Sequence, residues 1–355
     1  MTPSEQEPAR TLPEFDAFVV GPVFIDIVLA GLDHAPVLGT ESWARSMGTC
    51  PGGIANIAVA LSRLGLNTSL ATAFGDDAYG DFCRESLELG EGIDLSRSVR
   101  MTGKHTPLTI SLAYDSDRTM VSHGHLHEHP GISIDAVPRA AVAFASIGGD
   151  QNTAWLAAAK ANGARVVVTS GWQPDGEWDL DRLGDLSLAD VFIVNGPEAL
   201  AWTGTTRLED AALALAERVP LPVVTRGSRG AIAVDREAVD AEHRIVDVGG
   251  IDIEPVDPTG AGDVFAAGLA AGLVWSLTIE QSLVLATVAA GLSVEDIGGS
   301  FSAPSLEGIA QWYRDSAREH DAAFAERYGF LDELHSTWGR QRRPRRAIPT
   351  IGFRA

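Results

Sequence analysis

Short apolar runs closed by a glycine or a small polar residue recur along this chain, with helical patterns between them. Ala17-Phe-Val-Val-Gly21, Val142-Ala-Phe-Ala-Ser-Ile-Gly148, Arg165-Val-Val-Val-Thr-Ser170, Asp190-Val-Phe-Ile-Val-Asn195 and Pro222-Val-Val-Thr-Arg-Gly227 are apolar at consecutive positions. Strands buried on both faces read this way. Leu66–Gly75 reads as a further strand. Between the runs, Ile57–Leu64, Gly80–Leu87 and Thr153–Asn162 carry helical spacing, and Gly65 closes the first helix as its C′ residue. This alternation predicts a parallel sheet covered by helices. Residues 305–336 read as one or two surface helices, with Trp312 and Tyr313 packing on the body.

The segment 105–129 breaks the rhythm. Thr106–Tyr114 and Arg118–His123, joined by a turn at Asp115-Ser-Asp117, form a hairpin pattern. With residues around 26–48 it predicts a small sheet beside the main one. His123, His125, His127 and His129 follow at period two, so an extended strand puts all four on one face. Imidazoles so placed could bind zinc, line a polar pocket, or sit in solvent.

At 355 residues the chain fits one large α/β domain or two smaller ones. Its net charge of −21 argues against nucleic acid or an anionic membrane as partner. Residues 339–355 stand apart, with six Arg and no acid. Two cysteines, Cys50 and Cys83, make no disulfide framework and suit a reducing cytoplasm. The polar, acidic N-terminus is no secretory signal, and no uncharged run reaches the roughly 18 residues that span a bilayer. A cytoplasmic protein is expected.

Chemistry concentrates at Asp257-Pro-Thr-Gly-Ala-Gly-Asp263, an acidic, glycine-rich loop running into a segment uncharged until Glu280. That segment reads as a buried helix. The unpaired N–H groups of its first turn and the helix dipole make an anion site. Gly260 and Gly262 let a ligand approach the backbone closely. Asp263 would repel a bound phosphate unless it serves as a base or holds a hydroxyl. An anion loop with an embedded carboxylate suits phosphoryl transfer to an alcohol, where positioning and charge stabilisation dominate. The plainer alternative is a helix cap with flexible glycines.

Three polar or glycine clusters, 195–198, 225–230 and 257–263, each follow an apolar run. In a parallel α/β sheet such clusters converge at the carboxyl ends of strands. Asn195 and Glu198 offer the oxygen donors that Mg²⁺ takes; equally, they suit a strand-end turn and a first-turn helix charge. Asp26, alone among apolar residues, is either a solvated strand end or a carboxylate gripping a polar small molecule. No Gly-x-x-x-x-Gly-Lys-Ser/Thr motif occurs. Gly260-Ala-Gly262-Asp-Val-Phe265 departs from the dinucleotide fingerprint at its third glycine.

Asp-Pro-Thr-Gly-Ala-Gly-Asp at 257–263 and Gly-Gly-Ile-Ala-Asn at 52–56 resemble the two signatures of the ribokinase/PfkB-like sugar kinase family. Asn195-x-x-Glu198 and Thr225-Arg-Gly-Ser-Arg-Gly230 resemble its magnesium and nucleotide motifs, in order, over roughly residues 17–315. The resemblance implies an α/β fold with a Rossmann-like parallel sheet flanked by helices and a small β-sheet lid. It also implies ATP-dependent phosphorylation of a hydroxymethyl group of a pentose, hexose or related polyol. Asp263 would be the base, with the N–H groups of Gly260, Ala261 and Gly262 as anion hole. Asp26, Gly52, Gly53 and Asn56 would bind sugar hydroxyls, joined by Asp150 across an alignment gap. Asn195, Thr225, Gly227, Gly230 and Thr287 would lie by the nucleotide. Asn195 and Glu198 would hold Mg²⁺ through water, and Asp257, Thr259 and Ser302 a monovalent cation such as K⁺.

The expected organisation is a disordered lead-in over 1–14 and a kinase domain over 15–318, whose lid comes from about 24–48 and 103–129. A C-terminal helix and Arg-rich tail would fill 319–355. The lid's open edges offer a homodimer contact. A nucleoside kinase of the same fold is the alternative, and a non-catalytic sugar-binding regulator a third reading that intact Asp263, Asn195 and Glu198 argue against.

Overall fold

The computed structural model describes residues 12–114, 117–124, 134–147, 154–170, 176, 178–240, 244–339 and 353–354. Its body is built on an eight-stranded sheet of β1 (Phe15–Val20), β4 (Thr68–Ala71), β9 (Ala140–Ile147), β10 (Arg165–Ser170), β11 (Val191–Asn195), β12 (Leu221–Thr225), β13 (Ala231–Val234) and β14 (Ile245–Val248). The spatial order is β14-β13-β12-β11-β10-β9-β1-β4. The six strands from β4 to β12 run parallel, and β13 and β14 close one edge antiparallel.

Period two divides the strand residues between two cores. Val19, Phe144, Val167, Ile193 and Val223 point into one, against α1 (Ile54–Arg63), α6 (Ala261–Val274) and α7 (Ile279–Ser293). Phe18, Ala143, Val168, Phe192 and Val224 point into the other, against α3 (Ala154–Ala161), α4 (Gly196–Thr203) and α5 (Leu208–Ala216). Both faces are therefore dry, which is why the strand sequences run apolar without alternation.

The buried helix expected after Asp263 is α6, and the uncharged stretch outruns it by a turn that leads into α7. Ser276, at φ 59, lies in that turn, and Thr278 opens α7 with a capping box to Gln281. α6 and α7 pack closely because Gly268 faces Ala286, where an added Cβ would lie 2.7 Å from Ala286 Cα. Three helices, α8 (Leu306–Ser316), α9 (Ala322–Tyr328) and α10 (Phe330–Trp338), follow where one or two were expected. Trp312 packs edge-on against Tyr328.

A second sheet lies over the ligand end of the body. It comprises β2 (Val23–Ala30), β3 (Ser46–Gly53), β7 (Leu108–Tyr114), β8 (Asp117–His123) and β15 (Phe353–Arg354), in the order β15-β3-β2-β7-β8. β7 and β8 pair antiparallel, as do β2 and β3, and parallel pairing of β2 and β7 joins the two pairs into one lid sheet. The chain's last strand covers the β3 edge, with Phe353 opposite Met47. A short ribbon of β5 (Ala73–Gly75) and β6 (Val99–Met101), with α2 (Ala78–Glu85), completes the molecule. Among the described residues no helix is long and apolar enough to cross a membrane.

Candidate active site

The loop before α6 and the start of α1 meet beneath the lid. β3 ends in Gly52-Gly53 and α1 begins at once with Ile54, which places Asn56 in its first turn. Gly260, at φ 81, turns the chain into α6. Its hypothetical Cβ would lie 3.5 Å from Asn56 Cγ and 3.5 Å from the Gly299 carbonyl carbon, so three segments distant in sequence converge here.

Asp263 does not cap its helix. Its Oδ2 instead accepts a hydrogen bond from Asn56 Nδ2 at 2.8 Å, across 207 residues of sequence. Burial pushes its carboxyl up to about 6; the Asn56 bond and the Arg118 charge oppose that rise. At about 6 it is still largely ionised at neutral pH. Asn56 is buried, and its Oδ1 has no partner within the protein among the described residues. A buried polar atom of this kind calls for a ligand or water.

Asp26 is buried on β2, on the lid side of the same space. Its carboxyl is pushed up to about 7, first by burial and then by the charges of Asp263 and Asp257, with Arg118 working against them. It is no solvated strand end. Gly52 makes room for it: a Cβ there would come within 2.1 Å of Asp26 Oδ2.

Asp257 and Thr259 are buried behind the loop. Asp257 Oδ1 accepts from the Thr259 N–H at 3.0 Å. Asp257 Oδ2 and Thr259 Oγ1 have no partner among the described residues. Oxygens left unsatisfied beside a buried carboxylate fit a hard cation. Ser302 is already engaged, its Oγ donating to Gly299 O at 2.7 Å. The Ala261 N–H donates to Pro258 O at 3.3 Å.

A second cluster lies at the carboxyl ends of three adjacent parallel strands. Ser170 ends β10, Asn195 ends β11 and Thr225 ends β12; Asn195 and Thr225 are direct register partners. Asn195 caps α4 by accepting from the Glu198 N–H at 2.9 Å, and Ser170 Oγ donates to Glu198 Oε2 at 2.7 Å. The oxygen-only donor set and half-buried Glu198 carboxylate fit Mg²⁺ held through water. Gly227 is exposed in the turn after β12. Gly230, at φ +83, has a packing reason of its own, since a Cβ would strike Val248 O at 2.0 Å. Thr287 is buried on α7 with no partner for its hydroxyl among the described residues.

Asp150 and His125, His127 and His129 lie outside the described residues. His123 stacks on His105 with ring centroids 4.9 Å apart. No group of three or more potential metal-ligating His, Cys, Asp or Glu occurs among the described residues. Sequence reasoning missed Ser170, which is legible only once β10 and β11 are neighbours. It also missed Arg118, whose charge reaches both Asp26 and Asp263.

The family model for pfkB family carbohydrate kinases matches residues 15–306. The chain belongs to that family. It is a carbohydrate kinase, a phosphotransferase with an alcohol acceptor and ATP as donor. It is 26% identical to a ribokinase of Lactococcus lactis over 306 residues, covering 82% of this chain and 94% of that protein. It is 29% identical to an ATP-dependent ribose-1-phosphate kinase of Halopiger xanaduensis over 301 residues, covering 82% and 95%. In fold it is similar to Arabidopsis thaliana ribokinase complexed with ribose and ATP, at a TM-score of 0.71, 24% identity and coverage of 85% and 98%.

Proposed function

We propose that this carbohydrate kinase transfers the γ-phosphoryl group of ATP to a hydroxymethyl group of a sugar or polyol held between the lid and the start of α6. The carrying observation is the Asp263 carboxylate: it sits in the first turn of α6, is held by Asn56 rather than by its own helix, and its charge acts on Asp26.

Asp26 and Asn56 accept and donate to acceptor hydroxyls. Asp263 takes the proton from the attacking hydroxyl as the bond to phosphorus forms. The N–H groups of Gly260 and Gly262, joined by Ala261 only when it gives up its bond to Pro258 O, stabilise charge on the transferring phosphoryl group. Asn195 and Glu198 hold Mg²⁺ through water, and Mg²⁺ neutralises donor phosphate charge when bound. Thr225, Gly227, Gly230 and Thr287 contact the nucleotide. Asp257 and Thr259 hold a monovalent cation that keeps the anion loop in shape; Ser302 contributes to it only by giving up its bond to Gly299. With β15 on the β3 edge, a homodimer through the lid would use the β8 edge.

Incubating the protein with ATP, Mg²⁺ and a panel of pentoses, hexoses, polyols and nucleosides tests this. A mass gain of one phosphate on a sugar or polyol is expected. Phosphorylation of nucleosides alone would transfer the site to the nucleoside reading.

A further inference from the structure

The turn that backs the anion loop is held from the far end of α1 by one buried ion pair. Gly299–Ser302 is a short 3₁₀ turn. An added Cβ on Gly299 would lie 3.7 Å from Asn56 Oδ1 and 3.7 Å from Thr259 Cγ2, and one on Gly260 would lie 3.5 Å from the Gly299 carbonyl carbon. Ser300, fully buried, donates from its Oγ to Pro51 O at 2.6 Å, just before the Gly52-Gly53 pair that leads into α1. The turn thus touches Asn56, the anion loop and the end of β3, and a shift of the turn would release all three.

Arg63 holds the turn in place. It lies seven residues after Asn56, about 10 Å along the helix axis. Buried, it donates from Nη1 to Phe301 O at 2.6 Å and to Ala303 O at 2.9 Å. These are carbonyls of the kind that a helical turn leaves unpaired at its end. The other arm of the guanidinium, Nε and Nη2, donates to the two carboxylate oxygens of Glu91 at 3.0 and 2.7 Å. Glu91 is itself buried, and its backbone O accepts from Ser62 Oγ at 2.6 Å. The planar fork is therefore fixed by Glu91 on one side and spends its other side on the turn.

Fold stability does not demand this arrangement, because apolar residues of similar volume match or better a buried ion pair. An apolar pair cannot hold two carbonyls at fixed positions. That difference matters where chemistry depends on placement, since a misplacement of about 1 Å can cost on the order of a hundredfold in rate.

We infer that Arg63, clamped by Glu91, is a positioning residue for phosphoryl transfer. It sets the Gly299–Ser302 turn against Asn56 and the anion loop, so that Asp263 meets the acceptor hydroxyl in line with the phosphoryl group. The inference rests on the kinase reading above.

Arg63→Met combined with Glu91→Leu removes both charges at once and tests it. Urea unfolding should place the double variant near the wild type, while kcat falls about ten- to a hundredfold. The KM for ATP should change little, because Asn195, Glu198 and Thr225 stand on other elements. Hydrogen–deuterium exchange should quicken in residues 298–305 and stay slow in β9 to β12. Turnover restored together with stability would reduce the pair to packing and overturn the inference. So would unchanged exchange in 298–305, or a raised KM for ATP at unchanged kcat. Arg63→Lys keeps the charge on Glu91 but has no second arm for the carbonyls, and it decides the matter if the double variant does not fold. It should lose kcat several-fold, and full kcat would overturn the inference. Exchange needs no acceptor, which separates this from the kinase reading. A loosened turn in a protein that phosphorylates no acceptor would keep the hold on the turn and sink the kinase; transfer by the wild type with an unmoved turn in the double variant would do the reverse.

Discussion

Replacing Asp26 by Asn should stabilise the fold at alkaline pH while weakening sugar binding. The Asp26 carboxyl is pushed from 3.8 to about 7, mainly by burial and then by Asp263 and Asp257. Between about pH 4 and 7 the folded chain therefore binds a proton that the unfolded chain has released, and stability falls as pH rises through that window. Each unit of pKa is worth about 1.4 kcal/mol, so the interval of about three units sets a ceiling near 4 kcal/mol. Water entering the cleft reduces this to about 1–3 kcal/mol. Asn has the same shape and never ionises. Asp26→Asn should thus match the wild type near pH 3, where the carboxyl is protonated folded and unfolded alike, and exceed it near pH 8. Asp263, pushed up to about 6, adds pH dependence of the same sign that the variant retains. Urea denaturation at the two pH values measures the difference. An equal change at both would mean that Asp26 carries no charge penalty, and the electrostatic picture of the site would fail.

Gly52→Ala should drive the Asp26 carboxylate out of place, because the new Cβ would sit 2.1 Å from Oδ2. Calorimetry should show sugar affinity down about tenfold or more, with ATP affinity retained. Adding K⁺ should raise both turnover and the melting temperature, because Asp257 Oδ2 and Thr259 Oγ1 have no partner among the described residues; Asp257→Asn should abolish both responses. Arg63→Met should cost about 3–5 kcal/mol by stranding buried Glu91. Adding Glu91→Leu should restore much of it in chemical denaturation.

The parts of the fold legible in the sequence are those that local pattern decides. Two-sided burial makes the centres of β1, β9, β10, β11 and β12 runs of apolar residues, and glycines mark where α1 and α6 begin. Local pattern does not decide the split between α6 and α7. Ser276 and Thr278 sit inside an uncharged run, and only the Thr278–Gln281 capping box signals the break. Nor does it show partnerships set by packing. Arg63 donates to Glu91 at 2.7 Å, to Phe301 O at 2.6 Å and to Ala303 O at 2.9 Å, tying the end of α1 to the turn beside Ser302. A lone Arg in a helix carries no mark of that role. In the site, Asp263 and Asn56 stand in motifs and could be read. Arg118 could not, because its relation to Asp26 exists only in the register of β2, β7 and β8.

If Asp263 removes the acceptor's proton, Asp263→Asn isolates that step. Asn preserves the shape and the contact with Asn56 while removing the base. Turnover and ATP affinity should be measured together on a variant shown by circular dichroism to be folded. Turnover should fall by roughly 10²–10⁴-fold, with ATP affinity unchanged or improved, because a negative charge near the γ-phosphate is gone. Near-normal turnover in the folded variant would contradict it.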